Sequence, residues 1–211
     1  PKYTTNIYPT VTAPVYTQTI SDPKYTHTSW LYVNDVHGKM TNMERIYNIS
    51  QEFDRIPADK LIPNFFTNST DNVSKFKVSS GDIILGANFT NNKVASQFMN
   101  WSGFIASALG NHELDITDPE KFAQLLDNAN YKTLAINVAV DKNSPFCGKI
   151  EKSTIVEKDG IKYGLIGVAP PDMTERVKMN DTLKHFTISS SDETIKLVQE
   201  EAKKLEAQGI K

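Results

Sequence analysis

The sequence predicts an α/β fold in which strands and helices alternate along the chain and stack in layers. Short apolar runs bounded by glycine or polar residues recur along the sequence, and such runs are typical of buried strands. Segments with apolar residues at helical spacing separate them, which gives the order β-α-β-α-β-α-β-β-β-α. The chain has 211 residues, 39% of them hydrophobic, which is enough for the core of one domain.

The first half of this pattern alternates between strand and helix. The first strand is predicted at 30–33, and residues 43–53 follow it with apolar side chains near helical spacing. The polar, asparagine-rich segment 54–74 is expected to form a long surface loop. A second strand at 76–80 then leads into a helix near 92–101.

The second half adds a further strand and helix, a hairpin and a final helix. The third strand is predicted at 104–109, and Asp118 followed by Pro119 is a typical helix start. The remaining predicted elements are a strand at 133–138, a hairpin of strands 152–157 and 161–168 joined at Asp159-Gly160, an amphipathic helix at 191–207 ended by Gly209, and the start of a further strand at Ile210–Lys211.

Composition excludes several classes of function. The formal net charge of −2 provides no basic surface for nucleic acid or for an anionic membrane. No window approaches 18 consecutive apolar residues, so the sequence predicts no membrane span. The single cysteine, Cys147, is expected to be a small buried hydrophobic residue rather than a nucleophile.

The N-terminal segment differs from the rest of the chain. Residues 1–29 are dominated by Thr, Tyr and Pro and have almost no charge, so we expect an extended tether or a strap along a sheet edge. Residues 30–211 then form the folded domain. The first residue is Pro rather than Met, from which we expect a processed N-terminus.

Polar side chains collect where the first three predicted strands end. Asn34-Asp35-Val36-His37-Gly38 follows the first strand, Gly81-Asp82 the second, and Gly110-Asn111-His112-Glu113-Leu114-Asp115 the third. Ligand sites collect at the carboxyl ends of strands in α/β sheets, so we expect one metal site built from three loops. The mixed carboxylate, imidazole and amide ligands suit Mn, Fe, Zn, Co or Ni, and two such ions can clamp a phosphoryl group.

Other residues near these strand ends have expected roles of their own. His112 follows an amide ligand directly, and Asp115 lies three residues further on, where it could hold the imidazole in one tautomer. This pairing suits a general acid or a cation that stabilises phosphoryl oxygens. Asn137 ends the predicted strand 133–138, and it either caps that strand or lines the substrate cleft.

The three loop sequences, in this order, resemble the first three motifs of the calcineurin-like metallophosphoesterases. Their forms are similar to the branch that contains 5′-nucleotidases and 2′,3′-cyclic-nucleotide phosphodiesterases. The stretches 134–138 and 159–168 resemble a strand and a hairpin of the same branch, and the likeness covers about residues 29–211. It implies a layered α-β-β-α sandwich, of which this chain contains the N-terminal part.

The resemblance also implies roles for individual residues. Asp35 and His37 would bind the first of two divalent metal ions, Asp82 would bridge both, and Asn111 would bind the second. His112 and Asp115 would form the catalytic pair. The later histidine and the Gly-His-x-His motif that complete the family's site have no counterpart around the chain's four histidines, His27, His37, His112 and His185.

Two function classes follow from these observations. The first is a metal-dependent hydrolase of nucleotides or other small phosphoesters, as a 5′-nucleotidase or a cyclic-nucleotide phosphodiesterase, and the resemblance implies export from the cytoplasm. The second is a non-catalytic surface or binding protein that retains the fold. An inactive fragment that needs a complementing C-terminal segment or chain is a further alternative.

Overall fold

The computed structural model describes residues 27–56, 73–86 and 88–211. The greater part of the predicted tether and of the predicted loop 54–74 lies outside the described residues. Strand β1 (His27–Val33) begins three residues before the predicted strand and so includes the last residues assigned to the tether. No helix in the described residues is long and apolar enough to cross a membrane.

A five-stranded parallel sheet forms the centre of the fold and confirms the predicted α/β class. Its spatial order is β1-β2-β3-β4-β6, and every neighbouring pair is parallel. After β1, the strands are β2 (Val73–Ser79), β3 (Ala106–Ala108), β4 (Lys132–Leu134) and β6 (Ile150–Glu151). Because the strands are parallel, the loops that follow β1, β2 and β3 all leave the same edge of the sheet.

Three helices connect these strands and pack side by side on one face of the sheet. They are α1 (Met40–Arg55), α2 (Phe89–Trp101) and α3 (Pro119–Asn128), and α2 contacts both of the others. Asp118 caps α3 as predicted, because its carboxylate accepts from the N–H groups of Glu120 and Lys121. Lys77 of β2 points to this layer, where its Nζ donates to Ser50 Oγ at 2.7 Å.

A hairpin and a helix cover the other face of the sheet. The hairpin consists of β7 (Ser153–Lys158) and β8 (Ile161–Ile166), and α5 (Ser191–Ala207) packs against β8. Tyr163 contacts the ring of Phe76 in the parallel sheet, with 4.9 Å between centroids. Gly164 faces the other way, against Leu205 of α5. The layers are therefore helices, parallel sheet, hairpin and helix, the predicted α-β-β-α order.

Short elements complete the described structure. The strand predicted at 133–138 is divided into β4 and β5 (Val138–Val140), and β5 pairs with the antiparallel β9 (Phe186–Ile188). A short helix, α4 (Met173–Arg176), and two 3-10 helices, His112–Asp115 and Leu183–His185, lie in the connections.

Two further sequence predictions concern the strand start at Ile210–Lys211 and the burial of Cys147. Lys211 exchanges backbone hydrogen bonds with Lys162 and Gly164 of β8, where the start of a strand was predicted. The prediction that Cys147 is buried is wrong. Cys147 is exposed, because it lies among the turns of the segment between β5 and β6 rather than in a regular element.

Candidate metal centre and catalytic pair

The loops that follow β1, β2 and β3 are joined by backbone hydrogen bonds. The N–H of His37 donates to the carbonyl of Asp82 at 2.9 Å, and the N–H of Gly38 donates to Ile83 at 2.7 Å. The third loop joins them through the N–H of His112, which donates to Asp82 Oδ1 at 2.9 Å. The three predicted strand-end motifs therefore meet at one place.

Three of the predicted metal ligands have unusual backbone conformations. Asp35, His37 and Asp82 have φ angles of 51°, 56° and 52°, in the left-handed region that residues with a side chain rarely adopt. In the described part of the chain, the only other non-glycine residue with a positive φ is Asp159, in the hairpin turn. Such conformations cost about 1–3 kcal/mol each and concentrate at functional sites. Their occurrence at these residues supports a site that requires particular side-chain directions.

The side chains of these loops form a cluster that fits a divalent metal ion. His37, Asp82 and His112 each offer one ligand atom, and these atoms lie within 4.8 Å of one another. His37 Nε2 is buried and has no hydrogen-bond partner among the described residues. Asp35 Oδ1 lies 3.5 Å from this nitrogen, and the Asp35 side chain is mostly exposed. An unbonded buried imidazole nitrogen beside carboxylates is well suited to bind a cation.

His112 and Asp115 form a close pair within the 3-10 helix. Their side chains meet at 2.6 Å, between His112 Nδ1 and Asp115 Oδ2. Residues three apart lie above one another in a 3-10 helix, so this short element places the two groups in contact. Nδ1 is occupied by Asp115, which leaves Nε2 for a ligand or substrate. The His112 ring also lies at right angles to that of His37, with centroids 4.8 Å apart.

Glu113 has a structural role that the sequence analysis did not assign. Its buried carboxylate accepts from the N–H of Ile83 at 2.8 Å, of Asp82 at 3.0 Å and of Gly110 at 2.8 Å. Burial and the nearby charge of Asp82 raise the pKa of Glu113 to about 7, and the backbone N–H donors oppose this shift. Glu113 thus holds the second and third loops together beneath the cluster.

Glycine is required at two positions because the loops approach closely. A Cβ atom at Gly110 would lie 2.2 Å from Asp82 Oδ1 and 2.6 Å from Glu113 Oε2. A Cβ atom at Gly81 would lie 2.6 Å from the backbone nitrogen of Gly110. The two glycines therefore allow the carboxylates to reach their positions.

The two predicted asparagines lie in different surroundings. Asn111 is half-buried and directly precedes the 3-10 helix, next to the cluster. Asn137 is buried, and its amide both donates to and accepts from the backbone of Ala169, at 2.9 Å in each case. Asn137 was predicted either to cap its strand or to line the substrate cleft, and these bonds favour the structural role at the strand end. A contact between Asn137 and substrate stays a prediction.

Comparison with known proteins relates this chain to solved structures only. No protein-family model and no curated protein sequence matches it. A 5′-nucleotidase precursor from Thermus thermophilus matches 86% of the chain with a TM-score of 0.64 and 19% identity. The NAD nucleotidase of Haemophilus influenzae matches 87% with a TM-score of 0.61 and 21% identity. A sulfate thiohydrolase from Thermus thermophilus matches 89% with a TM-score of 0.62 and 12% identity.

The chain spans about a third of the two nucleotidase structures, 35% and 32% of their lengths, and 43% of the thiohydrolase structure. At identities of 12–21% the likeness is one of fold. The chain therefore shares the α/β fold of the matched part of these two nucleotidase structures.

Proposed function

We propose that this chain carries the metal-binding face of a metal-dependent phosphoester hydrolase that acts on nucleotides. The observation that carries the proposal is the convergence of His37, Asp82 and His112 at the carboxyl edge of a parallel sheet, beside Asp35 and Asp115. Two of the matched structures are nucleotidases, which supports the same class of reaction.

The proposed ligand set follows the sequence motifs. Asp35 and His37 would hold one divalent ion, Asn111 would hold a second, and Asp82 would be shared between the two. Mn, Fe, Zn, Co and Ni all suit these oxygen and nitrogen ligands. When bound, such ions neutralise phosphoryl oxygens and lower the pKa of water, which supplies a nucleophile near neutral pH. Glu113 and the two glycines keep the ligand-bearing loops together.

In this proposal, the catalytic pair consists of His112 and Asp115. Asp115 accepts a hydrogen bond from His112 Nδ1–H, which holds the ring in place and leaves Nε2 for a ligand or substrate. As an imidazolium cation, the ring also carries an Nε2–H, which would donate its proton to the leaving oxygen of the ester and leave a neutral ring, or would donate a hydrogen bond to the phosphoryl group. A neutral imidazole at this place would instead bind a metal ion, and the effect of His112→Gln on metal affinity separates the two roles.

The substrate class is proposed as a small nucleotide, either a 5′-monoester or a cyclic diester. One of the matched structures is a sulfate thiohydrolase, so the fold by itself does not select the ester. The net charge of −2 argues against a nucleic-acid polymer. Export to the periplasm, cell surface or medium is part of the proposal.

The test combines metal binding with hydrolysis in the full chain. Calorimetric titration with Mn²⁺ is compared with turnover of an aryl phosphate, AMP and 2′,3′-cyclic AMP. We expect Asp82→Asn to lose metal affinity and turnover together. His112→Gln is expected to reduce kcat by about 100-fold while metal affinity changes little, as for loss of a general acid. An intact protein with neither metal binding nor turnover would refute the proposal.

A non-catalytic binding protein with the same fold is the second candidate. Among the described residues, the metal-binding cluster contains His37, Asp82 and His112, with Asp35 nearby, which is a small ligand set for two ions. This candidate predicts that Mn²⁺ binds at one site and that none of the three esters is hydrolysed. It also predicts that His112→Gln lowers metal affinity, because His112 is then a ligand.

A further inference from the structure

The 3-10 helix that carries the catalytic pair is anchored by hydrogen bonds from two separate parts of the chain. The first is the loop after β2. In this loop, the Asp82 carboxylate accepts from the N–H of His112, and the N–H groups of Asp82 and Ile83 donate to the carboxylate of Glu113. The second is Asn180, in the connection between α4 and the 3-10 helix Leu183–His185. None of the sequence motifs includes Asn180.

The amide of Asn180 connects two buried segments. Its Nδ2 donates to the carbonyl oxygen of Leu114 at 2.8 Å, between residues 66 positions apart in sequence. Its Oδ1 accepts from the N–H of Leu183 at 2.8 Å, and Nδ2 makes a longer bond of 3.2 Å to the carbonyl of Lys178. Leu114 and Leu183 are 0% and 2% exposed, so both segments form part of the core.

The bond to Leu114 bears directly on the catalytic pair. Leu114 lies between His112 and Asp115, whose side chains are in contact only while the 3-10 turn keeps its shape. Hydrogen-bond geometry in 3-10 helices is poorer than in α-helices, so a turn of four residues depends on outside anchors. A displaced Leu114 carbonyl would change the orientation of His112 relative to Asp115.

We propose that Asn180 is a positioning residue for the His112–Asp115 pair. Its Nδ2–H holds the 3-10 turn in the shape that brings His112 Nδ1 to Asp115 Oδ2. Asn180 itself touches neither substrate nor metal in this proposal. The effect on turnover rests on the proposed function, whereas the effect on the imidazole hydrogen bond does not.

A merely structural role is the alternative, since Oδ1 of Asn180 also stabilises the turn that enters the second 3-10 helix. Asn180→Asp separates the two roles. The aspartate keeps an oxygen that accepts from Leu183 N–H, but it places an oxygen instead of a donor against the Leu114 carbonyl. Asn180→Ala removes both bonds.

Asn100 offers a matched control. Its Nδ2 donates to the carbonyl of Asn128 at 2.7 Å, and its Oδ1 accepts from the N–H of Asn130 at 2.7 Å. It therefore connects two segments by the same pair of bonds, in this case at the C-terminal ends of α2 and α3. Because the strands are parallel, these helix ends lie away from the edge that carries the metal cluster.

The experiment compares Asn180→Asp and Asn180→Ala with Asn100→Asp and Asn100→Ala in the full chain. The first readout is the NMR signal of the proton at His112 Nδ1 in metal-free protein, assigned by its loss in His112→Gln. The second is the pair of kcat and KM values with Mn²⁺ and an aryl phosphate, and the third is Mn²⁺ affinity by calorimetry.

We expect both Asn180 variants to increase the exchange rate of the His112 Nδ1 proton with water. We also expect them to reduce kcat by about tenfold, with KM and Mn²⁺ affinity nearly unchanged, because misorientation affects the reacting group more than binding. The Asn100 variants should lose as much stability as the Asn180 variants. Their proton exchange rate at His112 Nδ1 and their kcat should stay at the wild-type level.

Two results would overturn the inference. One is a His112 signal in Asn180→Asp that matches wild type, and the other is an equal change in the Asn100 variants, which would indicate general loosening. If wild-type protein hydrolyses no ester, the proposed function fails. In that case the NMR comparison still decides whether Asn180 positions the pair.

Discussion

At the scale of single residues, the candidate site depends on contacts between the motif residues as much as on the ligands themselves. The motif Gly110–Asp115 illustrates this distinction. Roles for Asn111, His112 and Asp115 are predictable from the sequence, because amide, imidazole and carboxylate groups are recognisable as ligands and acids. The role of Glu113 is not predictable in this way, since two partners of its carboxylate, the N–H groups of Asp82 and Ile83, lie about 30 residues away in sequence.

Replacing Glu113 tests its structural role. Glu113→Ala leaves the buried N–H groups of Ile83 and Gly110 without an acceptor, and an unpaired buried polar group costs about 1–3 kcal/mol. We expect the free energy of unfolding to fall by about 2–4 kcal/mol, partly offset by relief of the buried charge. Urea unfolding of metal-free protein measures this. Glu120→Ala, at an exposed position in α3, is the control, and an equal effect in both variants would contradict the assignment.

Gly110 offers a second test at this scale. In Gly110→Ala, the new Cβ would lie 2.2 Å from Asp82 Oδ1, so the second and third loops must move apart. We expect Mn²⁺ affinity to fall by at least about tenfold, because ligand atoms are then displaced from a common centre. Gly148→Ala is the control for a loss of stability alone, since a Cβ there meets no atom within 4 Å but the φ of 78° lies in the left-handed region that alanine rarely adopts. Calorimetry that finds equal Mn²⁺ affinity in Gly110→Ala and wild type would refute this prediction.

At the scale of secondary structure, predictability depends on the length of the element. The helices α1, α2, α3 and α5 have 10 to 17 residues and were all predicted. The helices α1 and α2 each begin three residues before the predicted start, whereas α5 has the predicted bounds. The elements β6, α4 and β9 have two to four residues, which is too short for a period to be recognised, and none was predicted.

Tertiary contacts explain where a predicted strand is interrupted. The apolar run 133–138 was predicted as one strand, but the chain leaves the sheet after Leu134. The N–H of Ala135 donates to the carbonyl of Glu151, and that of Ile136 donates to the carbonyl of Gly167. Adjacent residues therefore bond to two different segments of the chain. Asn137 then holds Ala169 through its side chain. Such an interruption depends on the hairpin above the sheet and has no local signal.

The start of α3 permits a test at the same scale. Asp118→Ala removes the side-chain bonds to the N–H groups of Glu120 and Lys121, and loss of an N-cap typically costs about 1 kcal/mol. We expect thermal or urea unfolding to show this decrease in the free energy of unfolding for Asp118→Ala. In Asp118→Ser, most of the lost stability should be recovered. Mn²⁺ affinity should stay unchanged, because Asp118 lies outside the ligand cluster. A large change in affinity would mean that the helix start itself positions the 3-10 turn.

At the scale of the whole molecule, the layered fold brings distant segments of one chain to a single edge. Residues 37, 82 and 112 are far apart in sequence, and parallel pairing of β1, β2 and β3 places them together. This part of the site was predictable, because the carboxyl ends of parallel strands share an edge. The anchoring of that edge by Asn180 and Glu113 was not, since it depends on how the connections fold back.

Binding of a metal at this edge should therefore stabilise the entire fold. A ligand that binds only the folded state adds RT ln(1 + [L]/Kd), which is about 2.7 kcal/mol at 100 times Kd. For a chain of this length, each 1 kcal/mol raises Tm by about 2–4 °C, so saturating Mn²⁺ should raise Tm by about 5–10 °C.

The increase in Tm should be absent in Asp82→Asn and reversed in wild-type protein by EDTA. His185→Gln serves as the matched histidine control. His185 pairs with Asp141 at 3.3 Å and is not part of the cluster, so this variant should keep the full increase. Differential scanning calorimetry at several Mn²⁺ concentrations also yields Kd from the concentration dependence. An equal increase in wild type and in Asp82→Asn would indicate non-specific binding and would remove the basis for a metal centre at this edge.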